Sequence, residues 1–565
     1  MMLIFTKRNL ATAVFTFALA TGLQACGGGG GSVSDDSNGA TDIEPSGPAD
    51  PTATPQNPTT DSGDPGDPIT DPLDPAAPPP APVDPPQALT TRVFEPVSYL
   101  KIAEDLGGFS AGVIGGDRLG RDSAPAGDIN GDGIVDLILG ARSDDDGGTD
   151  TGAVYILFMN ADGTVESNQK ISMLEGGFTD TLLPNSFFGY GVAGIGDYNG
   201  DSIPDVAVSA PRNEEAIYVL HLDRDGTVKS MGKSTGIVAL GLSAVGDLNQ
   251  DGRIDLAAAD PNAAGGGAVH LLFLDDQSDV SQVVTIGEGQ GGFGTGLNAD
   301  DTFGGRESAL LGDLDNNGTP ELAVGAFQSD GGLGAIWILS LDSDTLEVVD
   351  KLKIAPGLAG FDEDLAITPN SNGTSGPHFG HALAAAGDLN DDGIPDLITS
   401  ANQYEDGVSY VLYLNPDKTV KTFNRITDTD SGGEFDLQLD PEERFGRSIS
   451  LVDDSRAEGS LTGVFGGGAG FVEGVYTVAF QQCSYTAPTD SMFWSGGTTL
   501  FTNWNHGTQT VTGPLSFEQC VWKASEVGGS YITAKAEDGR CIIKDTDAEL
   551  SASAEGSSAY MRSCP

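Results

Sequence analysis

Oxygen-bearing side chains recur at positions 1, 3, 5 and 9 of a nine-residue segment, and the segment occurs five times. The first copy places Asp128, Asn130, Asp132 and Asp136 at those positions, with Ile134 at position 7. The second has Asp197, Asn199, Asp201 and Asp205 around Ile203, and the third Asp247, Asn249, Asp251 and Asp255 around Arg253. The fourth has Asp313, Asp315, Asn317 and Glu321 around Thr319, and the fifth Asp388, Asn390, Asp392 and Asp396 around Ile394. A hard cation such as Ca²⁺ takes several oxygens in a loose shell, and a tightly turning loop delivers alternate side chains inward. Position 7 then offers its backbone carbonyl, and glycine at position 6 permits the sharp turn. Each copy keeps three carboxylates and one amide even where the letters drift, which turn formation alone does not require. About five Ca²⁺ ions are therefore expected, one per loop. The second loop, with Ser202 where the others have glycine, has the least favourable turn.

These loops lack the bidentate Glu at position 12 of a helix-loop-helix calcium site, and no helical pattern follows them. Each runs instead into small and β-branched residues, such as Leu137 to Ala141 and Val206 to Ala210. Such runs predict strands, with Gly and Ala where backbones approach closely. The loop is then a strand-to-strand hairpin connection closed around an ion.

Between about Val93 and Phe480 the chain is repetitive, with spacings near 50 to 75 residues. In the second unit Gly176-Gly177-Phe178 leads to Phe188-Gly189, the acidic loop, its strand, and a further strand from Ala216 to Leu222. Phe303-Gly304, Phe379-Gly380 and Phe445-Gly446 recur in the same register. A Gly-Ala-Pro-like strand (Ser209-Ala210-Pro211) follows the second loop. These features resemble FG-GAP repeats, which build the β-propeller head of integrin α subunits. The resemblance implies an all-β propeller of six or seven blades, braced by calcium and presenting loops to a partner. The third unit departs from it, with Leu240-Gly241 in place of Phe-Gly. The sixth departs at its loop, where Asp454, Arg456, Glu458 and Thr462 occupy the ligand positions. An arginine there puts positive charge where the cation belongs, so no ion is expected. Six units are counted, and a seventh blade would draw on the strands around Val97 to Val113 or on the C-terminal region.

Residues 1–25 read as a signal segment. Lys7 and Arg8 precede a short apolar stretch that ends in Leu23-Gln24-Ala25-Cys26, which resembles the lipobox of bacterial lipoproteins. The resemblance implies lipidation at Cys26 and, with Gly27 following, an outer-membrane or cell-surface location. Residues 26–91 are a Gly-, Pro- and Asp-rich linker with little to bury. At ~3.1 Å per residue, about sixty residues of extended chain reach up to roughly 190 Å, enough to lift a globular head from a lipid surface.

The domain expected at 92–480 is the propeller, and 481–565 is a separate small β-rich region. That last stretch holds Cys483, Cys520, Cys541 and Cys564, together with Trp494, Trp504 and Trp522. An even cysteine count in an exported chain implies two disulfides, with three connectivities open. Sequence proximity alone favours Cys483–Cys520 and Cys541–Cys564. The tryptophans suit a small core or, alternatively, a sugar platform.

A formal net charge of −56, from 83 acidic and 27 basic residues, excludes nucleic acid as a partner. Gly108-Phe-Ser110-Ala-Gly112 matches a nucleophile elbow in form, but no helix follows and other units drift through similar glycine-rich text. His378 and His381 fall on opposite faces if both lie in one strand. The expectation is a non-enzymatic, calcium-stabilised adhesion module binding a protein or glycan ligand. The alternatives are a lectin-like propeller and a propeller-containing hydrolase.

Overall fold

The computed structural model describes residues 90–370, 373–427, 437, 439, 443–453, 460–468 and 473–486, and the strands 500–501, 508–512, 531–535, 540–544 and 557–563. Cys26, Cys520, Cys564, Trp494, Trp504, Trp522 and the loop positions Asp454, Arg456 and Glu458 lie outside them, as do the side chains of Cys483 and Cys541.

Each acidic segment joins the first two strands of a four-stranded antiparallel sheet. In blade 1 the order is Leu119–Gly127, Asp136–Ala141, Ala153–Met159 and Val165–Ser172. Blades 2 to 5 repeat this meander from inner strands Val192–Gly196, Leu242–Ala244, Phe303–Gly312 and Phe379–Gly387. The second and third strands of blade 1, Asp-Leu-Ile-Leu-Gly-Ala and Ala-Val-Tyr-Ile-Leu-Phe-Met, are buried along their whole length. They are covered on both faces, so they read as continuous apolar runs without alternation. The outermost strand, Val165–Ser172, is more polar and only partly buried.

Blade 6 is assembled from both ends of the domain. Ile449–Asp453, Ser460–Gly467 and Gly474–Thr486 supply three strands, and Thr90–Ala103 supplies the fourth. That strand pairs antiparallel from Thr90 opposite Thr486 to Ala103 opposite Gly474. The propeller has six blades, and the N-terminal strand that was one candidate source of a seventh closes the sixth. Gly474–Thr486 also runs past residue 480, and its end (Ser484 opposite Ser563) carries the C-terminal strands onward in the same sheet.

An apolar cluster fills every junction between neighbouring blades. The Phe-Gly pairs sit in these junctions. Phe188 is fully buried, 5.0 Å from the Phe178 ring and 5.5 Å from Tyr218. Phe379 stacks on Phe361 at 4.3 Å, and Phe303 lies 5.1 Å from Phe293. Such pairs contribute about 0.5–1.5 kcal/mol each beyond the area they bury. The glycine that follows is needed because the previous blade comes so close. At Gly189, with φ +82°, an added Cβ would lie 2.4 Å from the Ala153 carbonyl oxygen. In the third unit Leu240 takes the aromatic's place and is likewise buried. The inner strands of all six blades surround an axial cavity of about 400 Å³, lined by residues such as Ser123, Ala193, Ser243, Ser308, Ala384 and Ser450.

Candidate metal centres

One hydrogen-bond pattern repeats through the five loops. The position-1 carboxylate accepts from the backbone behind it. In the first loop Oδ1 of Asp128 takes the amides of Gly131 (2.7 Å) and Asp132 (2.9 Å), and Oδ2 takes Gly133 (2.9 Å). Asp197 takes the same three amides in the second loop, and Asp247, Asp313 and Asp388 take those of positions 5 and 6 in theirs. The side-chain oxygen at position 3 (Asn130, Asn199, Asn249, Asp315, Asn390) accepts from the amide of position 5. The oxygen at position 5 (Asp132, Asp201, Asp251, Asn317, Asp392) accepts from position 7, which is Ile134, Ile203, Arg253, Thr319 and Ile394 in turn. These bonds turn the side-chain oxygens inward and make each loop a small bowl of acceptors.

Position 6 must be left-handed for this turn. Gly133, Gly252, Gly318 and Gly393 have φ between +85° and +89°, and Ser202 follows them at +67°. The Ser202 amide still donates to Asp197 at 2.8 Å, so the second loop keeps its shape at a backbone cost.

Position 9 behaves differently from the rest. Asp136, Asp205, Asp255, Glu321 and Asp396 are all buried, while the other ligand positions are open or half-open. Each accepts from the position-2 amide, as Asp136 does from Ile129 at 3.0 Å and Asp396 from Leu389 at 3.0 Å. Three of them also latch the end of the third strand, at Met159, Leu222 and Leu414, each at 3.1 Å. Glu321 uses its longer side chain to reach the hydroxyl of Ser340 at 2.8 Å. Asp313, Asp315 and Glu321 bring carboxylate oxygens within 4.8 Å of one another.

The donor set fits a hard divalent cation: the side chains at positions 1, 3, 5 and 9 offer carboxylate and amide oxygens. The electrostatics fit as well. Burial, with repulsion from Asp132 added, pushes the Asp136 carboxyl up to about 6. Burial, together with Asp251 and Asp247, does the same at Asp255. Asp396, buried beside Asp392 and Asp388, is pushed up to about 8. Glu321 is raised by burial and Asp315. At these four loops negative charge is crowded around the buried carboxylate. A cation among these oxygens would relieve that crowding.

Several partners of the loops carry no signal in the nine-residue pattern. His221 places Nδ1 3.0 Å from Asp205 Oδ2 and Nε2 2.9 Å from Ser278 Oγ. Lysines brace the rims: Lys229 on Asp201 (2.9 Å), Lys421 on Asp392 (3.4 Å), and Lys418 of blade 5 on Asp315 of blade 4 (3.3 Å). Arg253 pairs with Asp276 and also lies 4.0 Å from Asp251 of its own loop.

The residues of the enzyme alternative do not form a site. Ser110 Oγ donates to Asp105 at 3.1 Å in an exposed turn, and the neighbouring amides of Ala111, Gly112 and Val113 close on Glu104. His378 and His381 are not on opposite faces as expected. His378 precedes its strand at φ +61°, and both rings pack on Phe327, at 5.3 and 5.1 Å.

Comparison with known proteins agrees with this architecture. The FG-GAP repeat family matches residues 120–157 and 379–412, and the FG-GAP-like repeat family matches 197–258. The chain is a six-bladed β-propeller built from FG-GAP repeats. It is 30% identical to integrin alpha-V of Gallus gallus over 240 residues, which is 40% of this chain and 21% of that protein. It is 35% identical to integrin alpha-11 of Homo sapiens over 144 residues, 23% of this chain and 11% of the relative. Integrin alpha-2 of Mus musculus matches at 40% over 98 residues, 17% of this chain and 8% of its own. The chain thus spans about a fifth or less of the length of these relatives. No helix among the described residues is long and apolar enough to cross a membrane.

Proposed function

We propose that this propeller is a calcium-braced binding module that holds its loops rigidly for a protein or glycan partner at a cell surface. The observation that carries the reading is the fivefold repetition of one oxygen-lined bowl with a buried carboxylate at position 9, which in four loops also bonds to the third strand of its blade. Calcium would fix each hairpin, the six packed junctions fix the hairpins relative to one another, and the outward loops do the recognition. Likeness to integrin alpha chains supports an adhesive rather than a catalytic role. The Leu23-Gln24-Ala25-Cys26 sequence supports a lipid anchor at Cys26, with residues 26–91 as tether, on a bacterial outer membrane.

The decisive experiment is retention of the full chain on intact cells or extracellular matrix, with and without EGTA. Chelator-sensitive retention that glycosidase treatment of the surface leaves intact supports a protein ligand. Loss on glycosidase treatment supports the lectin form. Equal retention with and without EGTA, from a protein in which elemental analysis finds no calcium, overturns the reading. Cys26→Ser is expected to move the protein from the membrane to the soluble fraction.

A further inference from the structure

The residue that follows the glycine of each Phe-Gly pair, or of its variant, is drawn to the hub of the ring. In sequence these positions read Gly120-Arg121, Gly189-Tyr190, Gly241-Leu242, Gly380-His381 and Gly446-Arg447. In the fourth unit the extra Gly305 moves the position to Arg306. The acidic loops lie at the other end of the same inner strands, several residues further on. One end of the propeller is therefore ringed by carboxylates and the centre of the other by guanidinium groups.

Arg447 is buried at this hub and Arg121, Arg142 and Arg306 are half-buried, with little counter-charge among the described residues. Nε of Arg121, Nε of Arg142 and Nδ1 of His381 are buried atoms without a hydrogen-bond partner among the described residues. Arg142 lies 4.7 Å above the Tyr190 ring, and Arg306 lies 4.9 Å from it. Arg306 donates to the Leu240 carbonyl (3.2 Å) and to Tyr190 Oη (3.3 Å). Arg447, 8% exposed, donates to the Gly468 carbonyl at 2.7 Å. Carbonyls and a phenol satisfy donors but cancel no charge.

The nearby acids offset this charge only in part. Glu473 pairs with Arg118 through Oε1 at 3.0 Å and also acts on Arg447. Asp122 and Glu307 both line the channel and are both pushed upward by burial, with Asp122 adding to the rise at Glu307. Burial and the charges of Arg306, Arg447 and Arg142 press the Arg121 guanidinium downward. Burial would raise the Tyr190 phenol, but Arg306, Arg121 and Arg142 outweigh it and bring it down to about 8. Arginine stays protonated in proteins, so an anion is the natural relief for such a cluster. This concentration of unmatched positive charge stands in a chain with 83 acidic and 27 basic residues.

We propose that the hub opposite the acidic loops is an oxyanion site, where Arg121, Arg142, Arg306 and Arg447 bind a carboxylate or sulfate-like group. Planar guanidinium forks suit such groups, singly or bidentately. The site does not depend on the metal loops, so it stands or falls apart from the calcium reading.

The test is titration of the full chain with sodium sulfate and, separately, sodium acetate, at ionic strength held constant with sodium chloride. One-to-one saturable heat is expected with at least one of them. The anion that binds distinguishes a tetrahedral from a planar ligand group. Arg121→Met and Arg142→Met are each expected to weaken binding at least tenfold, whereas the exposed Arg224→Met leaves it unchanged. Without added anion, Arg121→Met is expected to melt at or above the parent temperature, since it removes unmatched buried charge. The binding anion should raise the melting temperature of the parent and not of that variant. Absence of saturable heat with both anions overturns the proposal. So do equal melting shifts in the parent, Arg121→Met and Arg224→Met.

Discussion

His221 Nδ1 lies 3.0 Å from Oδ2 of Asp205, the buried carboxylate at position 9 of the second loop. The same ring reaches Ser278 of blade 3 through Nε2 at 2.9 Å, so it couples the loop of one blade to a turn of the next. In the fourth blade Ser340 occupies the equivalent place, one residue before the end of the third strand, and contacts Glu321 at 2.8 Å. That strand position is a second support for the loop wherever its side chain is polar. His221→Leu leaves buried acceptors without this partner and is expected to cost about 1–3 kcal/mol. Urea denaturation of the calcium-free protein measures this, and an unchanged midpoint would count against a supporting role.

The position-9 carboxylates give the sharpest test of metal binding. Asp396 is buried, crowded by Asp392 and Asp388, and hydrogen-bonded to the amides of Leu389 and Leu414. Asp396→Asn keeps the size and removes one charge from the fifth bowl, and it also gives up one of the two amide bonds, so calcium and EGTA are compared on the same variant. Calcium bound per chain is expected to fall from about five to about four. A site held at 100 times its Kd contributes about 2.7 kcal/mol, so the stabilisation conferred by calcium should shrink by about that amount. Melting with calcium and with EGTA, alongside elemental analysis, reads both quantities.

Two glycines of similar backbone conformation separate strain from packing. Gly189 has φ +82° and Gly200 φ +80°. A Cβ at Gly200 would meet nothing within 4 Å, whereas at Gly189 it would press on the Ala153 carbonyl at 2.4 Å. Gly200→Ala is expected to cost about 1–2 kcal/mol, the price of a left-handed L-residue. Gly189→Ala should cost about 1–3 kcal/mol more, because the junction between blades 1 and 2 must open. Equal losses in the two variants would show that the Phe-Gly glycine is conserved in these repeats for its backbone angle alone.

Much of this was legible in the sequence because one short pattern reports both the loop and the strands around it. Asp128 to Asp136 predicts a hairpin, and the apolar run after it predicts a strand; both are found. The closure of the ring was not legible. Thr90–Ala103 pairs with residues almost four hundred positions later, and nothing local in either strand names its partner. His221 was hidden for the same reason, since its role comes from a turn in the next blade. The hub had a signal that periodicity of the acidic loops does not reveal. It is the identity of the residue after each Phe-Gly, visible only when units are aligned on that pair.

The acids inside the channel set a pH dependence. Asp122 is pushed up to about 7 by burial, against amide bonds and the charge of Arg306, and Glu307 is raised by burial and by Asp122. Acids raised in the folded state contribute stability that is full below their unfolded pKa and lost as pH rises through the folded one. The window therefore opens near the unfolded value of 3.8 for Asp122 and closes above about 7. Glu307→Gln fixes the protonated form: its amide can donate to Asp122 while its oxygen accepts from Leu383 and Ile449, as Glu307 does now. The variant is expected to match the parent at pH 5 and exceed it at pH 8 in urea midpoint. Parallel losses in both proteins between those pH values would place the sensitivity elsewhere.

The N-terminal strand is the remaining lever on the ring. Thr90–Ala103 is the outermost strand of blade 6, yet Phe94 and Ile102 are buried, unlike most residues of outermost strands elsewhere. The Phe94 amide donates to Tyr413 Oη of blade 5 at 3.1 Å, and its carbonyl accepts from Asn424 at 3.3 Å. Ile102 joins the cluster between blades 6 and 1 with Leu119 and Val475. The strand therefore contributes to the junctions on both sides of its blade, and losing it would uncover two apolar faces at once. Burying a side chain of this size is worth about 1.5–3 kcal/mol, so Phe94→Ala and Ile102→Ala should each cost at least that, with a cavity term added. Removing residues 26–89 is expected to leave the melting temperature unchanged, whereas extending the deletion through Ala103 should abolish cooperative melting. Calcium is not expected to restore it, because ions in the acidic loops would close hairpins within blades and leave the seam between the two ends of the ring open. A deletion through Ala103 that still melts cooperatively would show that five blades and three strands suffice, and that the seam is dispensable.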